Sequence, residues 1–311
     1  MRILTAILPL ALSPVLFFAL ADGYINLGVT ARCEIILNPE AAVSDATHYV
    51  IRGGVQGRER LRVLSRVMHQ TSSALFDRLE LRDGLTCADV GCGGGDATLE
   101  LARRVGPNGK AIGIDIDETK LEIARAEARQ VGVTNVDFKA SDIRRASASQ
   151  PFDIVYARFL LTHLNDPAGV VASFFDHLRP GGSIAVEDID FSGAFTYPPS
   201  RAFDRYCEMY CTSVRRRGGD PNIGPRLPGL LQTAGFANVG VHVVQPVALK
   251  GDAKLINALT MENIAGPVLE DGLATREEID QIVRELYDLA GDQTTLAGTP
   301  RIVQTWGRRP E

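Results

Sequence analysis

The sequence has few cysteines, and their arrangement shows no zinc spacing. Five thiols in 311 residues are also too few for a disulfide framework. Cys207 and Cys211 lie at helical spacing among apolar and aromatic residues, which favours a role in lining a core or a cleft. We interpret the cysteines as reduced thiols, and such thiols are typical of a cytoplasmic protein.

An excess of positive charge is also lacking. The chain has 33 basic and 38 acidic side chains and a net charge of −5, which argues against a protein built around nucleic acid. The one dense basic cluster, Arg215 to Arg217, is interpreted as a solvated helix end. Internal repeats and low-complexity stretches are absent as well, so we expect one large domain with at most a small appendage.

The first 43 residues form an apolar extension with three interpretations. Arg2 precedes an uncharged run from Ile3 to Ala21, close to the roughly 20 residues of a membrane helix. That run ends on a sequence like a signal-peptidase site, so it could be an anchor or a cleaved signal. Either would place the domain outside the cytosol. Alternatively, translation starts at Val43, since valine codons can initiate in bacteria. Membrane contact is expected only if the run is real.

The stretch around residues 87–98 organises the rest of the chain. A short β-type segment containing Asp89 leads into Gly91, Gly93 and Gly95, and a helical pattern follows. A strand, a glycine loop and a helix in this order allow the backbone to approach a ligand closely. Asp89 would repel a pyrophosphate, and it suits a cationic group such as the ammonium of an amino acid.

Strand and helix patterns alternate on both sides of this loop, which predicts a parallel, doubly wound sheet. A helix over residues 58–79, in the N-terminal segment 44–83, comes before the first strand. Strands are predicted at 111–116, 136–139, 152–156, 183–186, 239–244 and 301–307. Asp96 is expected to cap the helix after the loop, and Asp117, Asp166 and Ser200 are expected at the starts of later helices. Two helices, 254–265 and 275–290, fall before the last strand.

Acidic residues end three successive predicted strands: Asp89, Asp115 and Asp142. Ligands of such sheets bind at the carboxyl ends of the strands. Asp115 lies twenty residues past Gly95, where a carboxylate accepts from both ribose hydroxyls. Asp142 is placed to accept from an adenine amino group. All three in register with the glycine loop are hard to explain as helix caps.

Four motifs resemble those of class I S-adenosylmethionine-dependent methyltransferases: Asp89–Gly95, Gly113–Asp115, Ser141–Asp142 and Leu178–Gly182. Phe152–Arg158 with His163–Pro167 is similar to the ubiquinone/menaquinone-biosynthesis-like small-molecule group. The resemblance covers Gly84 to Val186 well and the chain to Gly307 more loosely.

The resemblance implies a Rossmann-like α/β fold with a seven-stranded sheet whose last strand is antiparallel beside the sixth. Its divisions would be a cofactor-binding core at 84–250, a helical substrate cap at 251–299 between strands six and seven, and a final strand with tail at 300–311. The implied cofactor is S-adenosylmethionine. Its methionine part would face Asp89, Gly91, Cys92, Gly93 and Gly95. Its ribose would face Asp115, and its adenine would face Asp142 and Ile143. Ile116 would be a further contact, and Arg158 would contact the cofactor's carboxylate or the substrate.

The implied reaction transfers a methyl group to a small organic acceptor by in-line displacement. Proximity and alignment carry most of such catalysis. His163 is a candidate general base and Arg158 a second catalytic candidate, although His163 could instead satisfy backbone groups at a helix entry. Glu187, Asp188 and Asp190 are expected to follow the fifth strand and face the cleft, without a complete metal ligand set.

Two other functions stay open. A non-catalytic S-adenosylmethionine-binding regulatory protein would keep the same motifs. A nicotinamide oxidoreductase would need glycine at the position of Asp96 for close helix–strand packing. Apolar and aromatic residues near the predicted cleft favour a small acceptor over a protein or a nucleic acid: Phe203, Tyr206, Met209, Tyr210, Leu259 and Met261.

Overall fold

The computed structural model describes residues 54–144 and 151–311. The apolar N-terminal run, its cleavage-like sequence and the alternative start at Val43 lie outside the described residues. Within residues 54–144 and 151–311, no helix combines the length and the apolar character needed to cross a membrane.

Helices and strands alternate from the first described residue to the middle of the chain, and helices dominate the last third. The first elements are α1 (Gly54–Arg78), β1 (Thr86–Val90), α2 (Asp96–Arg104), β2 (Lys110–Asp115), α3 (Glu118–Gln130), β3 (Val136–Ala140), β4 (Phe152–Arg158), α4 (Pro167–His177) and β5 (Leu178–Asp190). The later ones are β6 (Phe195–Tyr197), α5 (Arg201–Arg216), α6 (Leu227–Thr233), β7 (Ala237–Val244), β8 (Val247–Ala248), α7 (Asp252–Glu270), α8 (Arg276–Gly291), β9 (Leu296–Gly298) and β10 (Arg301–Arg308).

Seven strands form the main sheet in the order β3-β2-β1-β4-β5-β10-β7. The first five strands in this order, from β3 through β2, β1 and β4 to β5, pair in parallel. Strand β10 is antiparallel to both β5 and β7. This confirms the predicted sheet and the position of its last strand. β5 is longer than predicted, because it continues through Glu187 and Asp188 to Asp190.

Both faces of this sheet are covered, as a parallel sheet requires. Cys87 and Tyr156 point to the face covered by α1 and α2. Their neighbours Ala88 and Val155 point to the opposite face, which α4 and α6 cover. The alternation along each strand therefore produces the doubly wound arrangement.

Several helices begin where the sequence predicts a side-chain cap. Asp117 accepts from the Lys120 N–H and Asp166 from the Gly169 N–H, in each case at the residue before the helix. Ser200 caps α5 in the same way. Such caps satisfy N–H groups that have no partner within the helix. At the other end of α5, Arg215 and Arg216 are exposed as expected, whereas Arg217 forms an ion pair with Asp271.

A second sheet was not predicted. Its three strands run in the order β6-β9-β8, and each has only two or three residues. Strands this short show no period in the sequence. One of them, β9, adds strand structure to the predicted helical cap at 251–299, where α7 and α8 occupy the two predicted helical positions. The division of the chain at residues 250 and 299 stays a prediction.

Asp96 does not cap α2, contrary to expectation. Gly95, at φ 80°, occupies the N-cap, and Asp96 lies in the first turn. Its carboxylate accepts from Arg58 of α1 at 2.6 Å, and the same guanidinium donates to Glu127 of α3. Burial opposes the charge of Arg58, but the two carboxylates outweigh it and raise the pKa of Arg58. Arg58 therefore fastens α1 to the helix that follows the glycine loop.

We expect Arg58→Gln to lower the free energy of unfolding in urea by about 2 kcal/mol. Breaking a fully buried ion pair removes about 3–5 kcal/mol, and the effect is smaller here because both carboxylates are partly exposed. The control is Arg66→Gln on the same helix, where a 53% exposed arginine pairs with Asp252. That change is expected to lower stability by at most about 1 kcal/mol. Equal losses in the two variants would contradict a fastening role for Arg58.

Candidate active site

The glycine loop follows β1 and is tied to the end of β2. The N–H groups of Gly91 and Cys92 both donate to the Ile114 carbonyl, at 2.8 and 3.2 Å. Gly91, Gly93 and Gly95 have φ values of 71°, 52° and 80°, a backbone region that other residues rarely adopt. The strand, glycine loop and helix predicted from the sequence are confirmed.

Two of these glycines are also required by close neighbours. A Cβ at Gly95 would lie 2.7 Å from the Phe138 ring and 3.0 Å from the Ala124 side chain. A Cβ at Gly93 would lie 3.3 Å from Leu61 of α1. Gly95 thus serves the packing of α2 and α3 on the sheet, whereas Gly93 lies beneath the N-terminal helix.

Asp115 and Asp142 lie at neighbouring strand ends. The Asp115 carboxylate accepts from the backbone N–H of Gly93 at 2.9 Å and from that of Asp117 at 3.0 Å. The Ser141 N–H donates to the Asp115 carbonyl at 3.0 Å, which connects the two ends. Asp142 forms an ion pair with Arg144 at 2.6 Å. The structure therefore places these two predicted carboxylates side by side at the carboxyl edge of the sheet.

Asp89 lies one strand further along, on β1. It is 2% exposed and accepts from the Thr98 hydroxyl at 2.6 Å. Burial raises the pKa of Asp89 to about 6, against the opposing effects of Thr98 and Arg158. A buried carboxylate with this pKa becomes fully ionised when a cation approaches. The site thus contains a group suited to an ammonium ligand.

The other residues predicted to contact the cofactor differ in their exposure at the carboxyl edge of the sheet. Ile116 is 56% exposed just beyond Asp115. Ile143 is buried in the core, and its carbonyl accepts from Ser173 at 3.2 Å. Cys92 packs its side chain against the cluster that contains Phe138.

Arg158, at the end of β4, belongs to a buried polar network. Its guanidinium donates to the Ser72 hydroxyl at 3.1 Å, and Ser72 donates to Glu187 at 2.7 Å. Glu187 also accepts from Tyr156 and from Gln304. Burial opposes the charge of Arg158, but the acidic groups around it, Glu187 and Asp89 among them, raise its pKa.

The three acids near residue 188 are not arranged as expected. They lie within β5 rather than after it, and each already has partners. Asp188 accepts from the Thr162 N–H at 3.1 Å, and burial raises its pKa to about 7. Asp190 pairs with Arg301 at 2.8 Å. Within residues 54–144 and 151–311, no three His, Cys, Asp or Glu side chains are grouped to hold a metal ion.

His163 lies in a single turn of 3-10 helix that follows β4. It is 6% exposed. Burial, with the positive charges of Arg60 and Lys120, lowers the pKa of His163 to about 3. The imidazole is therefore neutral at physiological pH, but a group with so low a pKa is a weak base, which disfavours His163 as a general base.

Aromatic side chains of α5 pack beyond this turn, next to α7 and α8. The rings of Phe191 and Tyr210 stack with their centroids 4.3 Å apart. Cys207 and Cys211 pack against the same cluster as free thiols, in agreement with the predicted role in lining a core. Tyr206 and Met261 are buried in it.

The chain is similar to known methyltransferases. The family model described as a methyltransferase domain matches residues 81–235. The ubiquinone/menaquinone biosynthesis C-methyltransferase of Klebsiella pneumoniae is 29% identical over 52% of this chain and 70% of its own. The demethylmenaquinone methyltransferase of Lactococcus lactis is 35% identical over 42% of this chain and 50% of its own.

Other matches cover different shares of each protein. Phosphoethanolamine N-methyltransferase 1 of Triticum aestivum is 28% identical over 55% of this chain, which spans only 32% of that relative. A solved structure from Bacillus halodurans, assigned to a methyltransferase, has a TM-score of 0.52 at 19% identity. It aligns with 77% of this chain and 98% of its own, and at this identity it supports the fold alone.

Proposed function

Because residues 81–235 form a class I S-adenosylmethionine-dependent methyltransferase domain, we propose that the whole protein methylates a small organic acceptor. The observation that carries the proposal is the set of three carboxylates, Asp89, Asp115 and Asp142, at adjacent strand ends beside the glycine loop. The glycine loop lets the backbone pack against a ligand, and the three acids are placed for three separate polar groups. Both features suit one elongated cofactor.

The residues at this edge fit the chemistry of S-adenosylmethionine. Asp89 is a buried carboxylate whose ionisation a cation would favour, which suits the ammonium group. Asp115 has acceptor positions left for ribose hydroxyls, because a carboxylate accepts more than the two backbone bonds observed. Asp142 supplies an acceptor for the adenine amino group, and exposed Ile116 offers an apolar surface beside it. Arg158 supplies a cation for the carboxylate group.

When bound, S-adenosylmethionine supplies a methyl group already activated on a sulfonium. The contribution of the chain is then alignment. The Arg58 ion pairs hold α1 against α2, so that Leu61 lies over Gly93. His163 stays a weak candidate for general base, because burial lowers its pKa to about 3 and alignment carries most of the catalysis.

The acceptor is proposed to bind beside α5, α7 and α8. Phe191, Tyr206, Tyr210 and Met261 pack there in one buried aromatic and apolar cluster. Such a lining suits a small molecule better than a macromolecule. The relatives named above carry the names of quinone-biosynthesis and phosphoethanolamine methyltransferases, and this range of names supports a determinant of acceptor choice outside the glycine loop and its strand-end acids.

A nicotinamide oxidoreductase is less compatible with this site. Its fingerprint has glycine where this chain has Asp96, and here Asp96 is engaged by Arg58. A non-catalytic binder of the same cofactor stays the main alternative, and methyl transfer itself distinguishes the two.

We assign the reaction to the cytoplasm, where S-adenosylmethionine is made. The described cysteines are free thiols, which suits that compartment. N-terminal sequencing of the native protein, with fractionation, tests this assignment. A mature terminus at Met1 in the membrane fraction would oppose it.

We expect Asp115→Ala and Gly93→Val each to weaken binding of S-adenosylhomocysteine, measured by calorimetry, by roughly tenfold to a hundredfold. Asp115→Ala removes the ribose acceptor, and a lost hydrogen bond to a charged group is worth about 1.5–3 kcal/mol. Gly93→Val introduces a side chain at φ 52° beneath Leu61. Asp137→Ala, which changes a 45% exposed aspartate of the same sheet, is the control and should bind normally. Tight binding of NAD with none of S-adenosylhomocysteine would contradict the proposal.

The affinity for S-adenosylhomocysteine should rise between pH 5 and pH 7. The pKa of Asp89 is about 6 in the free site, so below pH 6 the carboxyl is protonated and does not attract the ammonium. The ammonium stays charged in this window, because the pKa of an α-ammonium is about 8 or higher. The association constant should therefore increase up to tenfold per pH unit below pH 6 and level off above it. In Asp89→Asn the profile should be flat and the affinity low, whereas an unchanged slope would assign the titration to another group.

A further inference from the structure

Arg60 of α1 is a buried cation with one neutral hydrogen-bond partner. It is 8% exposed, and its Nε donates to the Thr260 hydroxyl of α7 at 3.0 Å. The Thr260 hydroxyl in turn donates to the Ile256 carbonyl at 2.6 Å. Among residues 54–144 and 151–311, no carboxylate forms an ion pair with Arg60, and Thr260 is its only hydrogen-bond acceptor.

The groups around Arg60 do not neutralise it. Its charge acts on His163, whose pKa is low mainly through burial, and on Tyr206, whose pKa is raised by burial. Both groups are therefore neutral at physiological pH. Tyr206 also shares Thr260 with Arg60 as a hydrogen-bonding neighbour. The cluster of Arg60, His163, Tyr206 and Thr260 thus carries one uncompensated positive charge.

Two buried acids of β5 are already engaged. Asp188 binds backbone N–H groups, and Asp190 pairs with Arg301. The other arginines at this end of α1 also have carboxylate partners: Arg58 with Asp96 and Glu127, Arg62 with Glu127, and Arg66 with Asp252. Arg60 differs from them because it is buried without a counter-charge.

A guanidinium has five N–H donors, of which the Nε–H of Arg60 is used here. Burying a cation without a partner of opposite charge is strongly unfavourable, so such a group is expected where an anion is supplied. The planar donor pattern of arginine matches carboxylates and phosphates. An incoming anionic group would meet the unused donors.

We propose that Arg60 binds a carboxylate or phosphate of the methyl acceptor, so that the acceptor is a small anion with an apolar body. The proposal rests on the proposed function, since it assumes an acceptor beside α5 and α7. The apolar body would lie on the aromatic cluster that includes Tyr206 and Met261. Arg158 is a separate cation, because Ser72 and Glu187 hold it under α1.

The test uses the full chain saturated with S-adenosylhomocysteine and three probes followed by ligand-observed NMR. The probes are inorganic phosphate, benzoate and, as the neutral analogue, benzyl alcohol. We expect phosphate or benzoate to bind the unchanged chain, and the anion that binds identifies the acidic group. Arg60→Gln should weaken that binding at least tenfold and leave benzyl alcohol unaffected. Arg60→Lys should retain part of it, and Arg66→Gln should bind within twofold of the unchanged chain.

The affinity for S-adenosylhomocysteine separates this inference from the proposed function. It should be the same in Arg60→Gln as in the unchanged chain. If neither anion binds, or if anion binding is unchanged in Arg60→Gln, the assignment of Arg60 is wrong although the cofactor still binds. A tenfold loss of S-adenosylhomocysteine affinity in Arg60→Gln would instead assign Arg60 to the cofactor's carboxylate. Failure of the unchanged chain to bind S-adenosylhomocysteine would refute the proposed function itself.

Discussion

The hydrogen bond from the Gly93 N–H to the Asp115 carboxylate, at 2.9 Å, is the contact on which the site depends. It joins the loop after β1 to the end of β2, and so fixes the loop backbone and the Asp115 carboxylate relative to each other. The loop can adopt this path only because Gly93 and its neighbouring glycines take positive φ values. Gly95 is further constrained by the Phe138 ring behind it. The packing of the sheet and the shape of the site therefore have a common origin.

Charge at this edge of the sheet is distributed unevenly, and the unevenness has functional consequences. Arg58 and Arg158 have acidic partners or a network that holds them, so Arg58 fastens α1 over the loop and Arg158 is held as a fixed cation. Asp89 and Arg60 are buried, and the side-chain hydrogen bonds that they form in the described part of the chain are to neutral hydroxyl groups. These two groups are the ones whose environment a bound cation and a bound anion would complete.

Much of this arrangement could be predicted from the sequence, because short local patterns determine it. The glycine loop, the acids at strand ends and the capping residues Asp117, Asp166 and Ser200 each depend on a few consecutive residues. Interactions between distant segments could not be predicted. The cap expected at Asp96 was wrong because its actual partner, Arg58, lies 38 residues earlier. Glu187 was expected to face the cleft, but its partners come from distant elements that its local sequence does not indicate. Arg60 did leave a signal, since it lies in helical register with the buried Met68 and Leu75.

Isotope labelling tests directly whether the protein transfers a methyl group from S-adenosylmethionine to a small acceptor. The full chain would be incubated with S-adenosylmethionine carrying a deuterated methyl group and a metabolite extract, and the products analysed by mass spectrometry. We expect one low-mass acidic compound to gain the labelled methyl group and S-adenosylhomocysteine to be released in equal amount. If the protein binds the cofactor, but no compound in extracts from varied sources gains the label, the chain is a non-catalytic binder and the account is contradicted.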